Sequence, residues 1–134
     1  YGSGNLDEKL KNNKVKNLYY HGFIDPKEVG GVLQKSDILL SPRYPGPAYT
    51  HTSFPSKIMK YLSFAKPIIT FYLPCYSESF KDIFIYPNDL TIESFVDSLK
   101  KTSSLVNTDL SAVYEEKLNK YYITNIVKDL IKIL

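Results

Sequence analysis

Three side chains that can bind an anion lie close together in the sequence, where a helix is predicted to begin. Ser56 and Lys60 are four positions apart and Lys57 and Lys60 are three apart, a spacing that puts them on one helix face. A helix N-terminus carries partial positive charge and unpaired backbone N–H groups, which favour an anion beside it. The spacing therefore predicts that a phosphate or diphosphate binds at this helix start and neutralises the lysines.

The charge pattern of the chain favours an anion site in the same region. The 134 residues carry a formal net charge of +3, with 17 basic and 14 acidic residues. Residues 38–77 include no aspartate or glutamate, whereas Arg43, Lys57, Lys60 and Lys66 are all basic. Such a local positive field suits a small anion, because a nucleic-acid-binding protein would carry a longer basic stripe. We therefore expect no nucleic-acid partner.

The composition predicts one globular domain with a hydrophobic core. Hydrophobic residues make up 43% of the chain and charged residues 23%, which argues against disorder. The single cysteine, Cys75, excludes an internal disulfide, and no cluster of metal ligands is visible. We therefore expect no metal and no cofactor. Because the only methionine is Met59 and the chain opens on a Gly-Ser-Gly turn, we interpret it as an excerpt of a longer protein.

Hydropathy predicts a protein that does not span a membrane. No apolar run reaches the roughly 18 residues that a membrane-spanning helix needs. With one cysteine, the expected location is the reducing cytoplasm. Peripheral contact with the inner face of the membrane stays open as an alternative.

The elements that would position the anion-binding residues alternate between strand and helix. Helices are predicted at residues 5–13, after Asp25, near Phe54, and along an apolar stripe of Ile92, Phe95, Val96 and Leu99. A C-terminal helical segment, residues 109–134, carries the stripe Ile123, Ile126, Val127, Leu130, Ile131 and Leu134. Strands are predicted at residues 15–23, 38–41, 67–71 and 83–86, and the one at 38–41 is expected to be buried on both faces.

This alternation predicts an α/β fold with a doubly wound, Rossmann-like parallel sheet. In such sheets ligands bind beyond the carboxyl ends of the strands, near helix N-termini. Gly22, the loop at residues 41–53 and the start of the helix near Phe54 are therefore predicted to lie on one rim.

The segments SDILLSPR and HTSFPSKIMKYLSFAKPIITFYLP resemble a known family. They are similar to the nucleotide-sugar-binding half of the retaining group 1 glycosyltransferases with the GT-B fold, especially those of bacterial polysaccharide synthesis. The resemblance covers residues 1 to about 101, and its specific part is FPSKI-M-x-YL followed by KPII. It implies that the excerpt, 1–134, is a partial domain that lacks its first strand and helix.

The resemblance also implies a function. A nucleoside-diphosphate sugar would bind to this domain, and its sugar would pass to an acceptor saccharide or lipid-linked glycan held by an N-terminal domain outside this chain. The isolated chain is then expected to be inactive. Two alternatives stay open: a sugar-nucleotide epimerase of GT-B-like fold, and a non-catalytic module that binds anions or nucleic acid.

Site residues follow from the resemblance position by position. Gly22 and the segment 41–43 would flank the nucleobase, and residues 54–57 would present donors to the diphosphate. The two glutamates usual in the family fall at Thr52 and Lys60 in this chain. Lys60 can only donate hydrogen bonds, so we expect it to contact phosphate. The predicted donor site comprises Gly22, Ser41, Pro42, Arg43, Thr52, Ser53, Phe54, Pro55, Ser56, Lys57 and Lys60, and no catalytic residue is assigned.

Overall fold

Two units divide the chain, Tyr1–Lys35 and Ser36–Leu134. The computed structural model describes residues 1–46, 48–76, 78–106 and 108–119. The predicted apolar stripe from Ile123 to Leu134 lies outside these described residues. Within them the fold is α/β, with a two-stranded parallel sheet and five α-helices.

The first unit contains two short helices, α1 (Asp7–Lys11) and α2 (Val29–Lys35). The carboxylate of Asp7 accepts the backbone N–H of Gly4 at 2.7 Å. In the turn before α2, the Asp25 carboxylate accepts the backbone N–H of Lys27 at 2.8 Å. The helix predicted to begin after Asp25 begins only at Val29, so Asp25 does not cap it. Leu33 is the one buried side chain among the described residues of this unit. Local hydrogen bonds therefore shape it more than a hydrophobic core does.

The strand predicted at residues 15–23 is wrong, because no strand forms there. This segment finds no ladder partner among the described residues, and a strand exists only through such pairing. Instead, Gly22 accepts the backbone N–H of Gly2 at 2.7 Å, and the Tyr20 hydroxyl donates to the Gly2 carbonyl at 2.7 Å. Tyr19 and Phe23 are 74% and 75% exposed, so the aromatic side chains on which the prediction depended cover no core.

The second unit contains the sheet. Strand β1 (Leu39–Ser41) pairs in parallel with β2 (Ile68–Thr70), in the register Leu39 with Ile68. Ile85 adds a single parallel bridge to Ile69, which leaves only one position of the strand predicted at 83–86 in the sheet. The parallel strands at 38–41 and 67–71 are thus confirmed. Burial of β1 on both faces is wrong, because Leu40 is 39% exposed on the uncovered face.

Helix α3 (Ser56–Leu62) connects the two strands. The chain leaves β1 through a 3-10 turn at Ala48–Thr50 and enters β2 directly after α3. Ile58 and Leu62 are buried, and Tyr61 is half-buried. Its hydroxyl approaches the Leu40 carbonyl at 3.4 Å, and burial raises the pKa of Tyr61 above its ordinary value. This strand, helix, strand unit places the end of β1 near the start of α3.

Two further helices complete the described part of this unit, α4 (Ile92–Thr102) and α5 (Ser111–Leu118). Short 3-10 turns lie at Glu78–Phe80 and Ser103–Leu105. The apolar stripe predicted for α4 is buried only in part. Phe95 and Leu99 are half-buried, and the Phe95 ring lies 5.3 Å from the Phe71 ring between centroids, whereas Ile92 and Val96 are exposed. The fully buried residues of the helix are Ser94, Ser98 and Thr102. None of the described helices is both long enough and apolar enough to cross a membrane.

Candidate anion-binding cleft

A cleft of about 430 Å³ opens where β1 ends and α3 begins. It lies on the carboxyl side of the strand, which is where parallel α/β units leave space for ligands. Its lining consists of Ser41, Pro42, Arg43, Ser53, Phe54, Pro55, Ser56 and Lys57. The structure thus brings together eight of the predicted site residues in one concave surface.

Arg43 is held at the cleft by an aromatic ring. Its guanidinium carbon lies 4.6 Å from the centre of the Tyr49 ring, a cation–π distance. The ion pairs in the described residues involve other cations, so Arg43 has no carboxylate partner among them. Stacking orients the guanidinium while its N–H groups stay available, and these groups match the oxygens of a phosphate.

Tyr49 is a residue that sequence reasoning missed. It follows Arg43 by six positions in a proline- and glycine-rich loop, a spacing that belongs to no regular element. The 3-10 turn that begins at Ala48 brings its ring back beneath the guanidinium. The sequence around an aromatic residue in a loop does not predict which cation its ring will contact.

Ser56 and Lys57 begin α3 and supply polar groups on the other side of the cleft. Both side chains are exposed, and Lys57 forms no ion pair within the described residues. Pro55 occupies the N-cap position and offers no side-chain cap. Because α3 has only seven residues, we expect an anion here to be bound by side chains and not by the end of the helix.

The apolar part of the cleft is anchored in an aromatic cluster. The Phe54 ring lies 5.4 Å from the Tyr76 ring and 5.3 Å from the Phe80 ring, between ring centroids. The Tyr76 hydroxyl is 3.2 Å from the Thr70 hydroxyl, and burial raises the pKa of Tyr76. The Cys75 thiol also donates to the Ser53 carbonyl at 3.6 Å. These contacts hold the loop before α3 against the loop after β2.

Three predicted site residues are not among those that line the cleft. Thr52 and Lys60 are exposed and do not line the cleft. Gly22 belongs to the first unit, where its φ of +66° lies in the region that favours glycine. The roles assigned to these residues, including the contact between Lys60 and phosphate, stay predictions.

The chemistry of the cleft is that of an anion receptor. Its lining carries two cations and three serine hydroxyls, and no carboxylate is among its residues. Among the residues that the structure describes, no group of three or more His, Cys, Asp or Glu side chains could hold a metal ion. Charge neutralisation of a bound anion therefore falls to Arg43 and Lys57.

Comparisons with known proteins add nothing to this geometry. Scans against protein-family models, curated proteins and solved structures each found no match to the chain.

Proposed function

We propose that this chain is the donor-binding domain of a glycosyltransferase and that the cleft holds a nucleoside-diphosphate sugar. One observation carries the proposal: every residue that lines the cleft belongs to the donor site predicted from the sequence. These residues come from two segments of the sequence, the end of β1 and the turn into α3. A chance patch of basic residues would not be expected to coincide with that set.

In this proposal the two cations bind the diphosphate. Arg43 approaches from one side, oriented by Tyr49, and Lys57 approaches from the start of α3. Ser53 and Ser56 add hydroxyl donors, and Pro42, Phe54 and Pro55 offer apolar surface for the base or the sugar. When the glycosidic bond breaks, negative charge grows on the diphosphate, and the same cations stabilise it.

The acceptor and the rest of the fold belong to the proposal as well. The sugar would pass to a saccharide or lipid-linked glycan held by another domain, in the cytoplasm or at the inner face of the membrane. The parallel pair β1 and β2, with the bridge at Ile85, would be part of a wider Rossmann-like sheet.

Isothermal titration calorimetry with UDP, GDP and ADP tests the binding step. Lys57→Ala should weaken binding of the preferred nucleotide about tenfold or more, since a hydrogen bond to a charged group contributes roughly 1.5–3 kcal/mol. Lys101→Ala is the matched control, because Lys101 lies on α4 and does not line the cleft. Equal losses in the two variants, or no binding of any nucleotide by the unmodified chain, would overturn the proposal.

Two rival functions give different results in related measurements. A module that binds anions by charge alone should show no preference among nucleosides and should lose its affinity steeply as salt rises. An epimerase of similar fold would bind the same nucleotides, so product analysis with the full-length protein separates it from a transferase.

A further inference from the structure

We infer that the cleft selects its ligand by charge: it takes a terminal phosphate monoester in preference to a phosphodiester, with the Ser41 hydroxyl as a buried donor. The inference rests on the proposed function in so far as the phosphate belongs to a nucleotide. It goes further, because it predicts that the released nucleoside diphosphate binds more tightly than the nucleotide sugar.

The first observation concerns Ser41. This last residue of β1 lines the cleft although it is only 7% exposed. Its hydroxyl has no hydrogen-bond partner among the described residues, although its backbone carbonyl accepts the N–H of Arg43 at 2.8 Å. No described polar side-chain atom that is closed off from solvent lacks a partner, so this hydroxyl is in contact with solvent, and the cleft is the open space that Ser41 lines. A nearly buried donor without a protein partner is suited to a ligand oxygen.

The second observation is the balance of charge. The two cations of the lining, Arg43 and Lys57, have no ion-pair partner among the described residues. A terminal phosphate carries about −1.5 to −2 charges at neutral pH and exposes three acceptor oxygens. A phosphodiester carries one charge, and its second substituent esterifies one of those oxygens. Of these two groups, the monoester therefore matches both cations on a single phosphate and leaves an oxygen for Ser41.

Two other buried hydroxyl residues show why Ser41 is unusual. Ser98 and Thr102 on α4 are also buried, but their hydroxyls donate to the carbonyls of Ser94 and Ser98 at 3.0 and 2.7 Å. Their polarity is satisfied within the helix. The Ser41 hydroxyl has no such acceptor among the described residues, so it is available to a ligand in the cleft.

The test compares methyl phosphate with dimethyl phosphate by NMR titration of the purified chain at neutral pH and moderate salt. Methyl phosphate should bind at least about tenfold more tightly, which corresponds to 1.4 kcal/mol. The nucleoside diphosphate with the highest affinity should exceed its own glucose ester by a similar factor. Equal affinity within either pair would overturn the inference, and this comparison needs no variant to fold.

Ser41→Ala then tests the hydroxyl. It should weaken methyl phosphate binding about tenfold and leave the melting temperature unchanged, since no protein partner is lost. Ser98→Ala is the matched control, which should lower the melting temperature and leave binding unchanged. A Ser41→Ala chain that binds as tightly as the unmodified one would remove Ser41 from the site.

The outcomes separate the inference from the proposed function. If nucleoside diphosphates bind but their glucose esters bind equally well, the donor site stands and the charge selection fails. If methyl phosphate is selected but no nucleoside diphosphate binds more tightly than it does, the charge selection stands and the donor function fails. If no phosphate compound binds, both fail.

Discussion

Helices α3 and α4, both in the second unit, differ in the kind of side chain that they bury fully. Helix α3 buries aliphatic residues, Ile58 and Leu62, beside the sheet. Helix α4 buries Ser94, Ser98 and Thr102, each one turn after the last, while Ile92 is 72% exposed. The hydroxyls of Ser98 and Thr102 donate to carbonyls of the preceding turn, and the Ser94 hydroxyl accepts the backbone N–H of Asp89, so they cost little when they leave water.

The two helices also differ in the hydrogen bonds at their N-terminal ends. The N-cap residue of α4 is Thr91, whose side chain accepts the backbone N–H of Ser94 at 3.2 Å. The N-cap residue of α3 is Pro55, which offers no side-chain cap, and Ala65, three residues after the end of α3, has a φ of +52°. Local hydrogen bonds thus support α4, whereas α3 depends on its packing. A helix that lines the candidate site can be held by tertiary contacts even when its own ends are poorly stabilised.

The largest expected effect tests the packing of α3. Ile58→Ala should lower the free energy of unfolding by about 2–5 kcal/mol, because it opens a cavity at a fully buried site. Ile92→Ala on α4 removes the same atoms from an exposed position and should change stability by less than about 0.5 kcal/mol. Chemical denaturation of both variants measures the difference. Similar losses would mean that the apolar face of α4 is covered after all.

A smaller effect tests the local support of α4. Thr91→Ala removes the cap and should cost about 1 kcal/mol of stability. Thr108→Ala is the control, since the Thr108 side chain is exposed and forms no hydrogen bond among the described residues. Urea denaturation followed by circular dichroism compares the two. If Thr91→Ala were as neutral as its control, the cap would contribute nothing to α4.

The smallest effect tests the end of α3. Ala65→Gly should raise stability by up to about 1 kcal/mol, because glycine adopts a positive φ without the steric cost that alanine pays. Ala112→Gly, within α5, should instead lower stability by roughly 0.5–1 kcal/mol. Opposite signs in thermal unfolding support the contrast. A loss at Ala65 would show that its backbone is not strained in solution.

Much of the candidate site was predictable because it depends on neighbours in the sequence. Strand β1, helix α3 and strand β2 follow one another along the chain, and their apolar runs mark each element. Once consecutive parallel strands are joined by a helix, the end of the first must lie near the start of that helix. The positions of Ser41, Arg43 and Lys57 around one cleft follow from this local order.

The rotation of α4 shows where spacing stops being informative. Its apolar residues do share a helix face, as their spacing requires. At about 100° per residue, however, the buried line through Ser98 lies roughly a quarter turn from the centre of that face. Which face meets the protein depends on the shape of the neighbouring surface, and small hydroxyl residues satisfied within the helix allow close approach.

Sequence alone therefore determined the α/β class, the parallel pair of strands, helix α3 and the segments that line the cleft, because short-range order sets them. Tertiary structure decided whether residues 15–23 pair as a strand and which face of α4 is buried. It also decided that the Tyr49 ring stacks against the Arg43 guanidinium. It also left the Ser41 hydroxyl without a partner among the described residues. Each of these depends on what comes from a distant part of the chain to cover a surface or accept a hydrogen bond, and no local pattern encodes that.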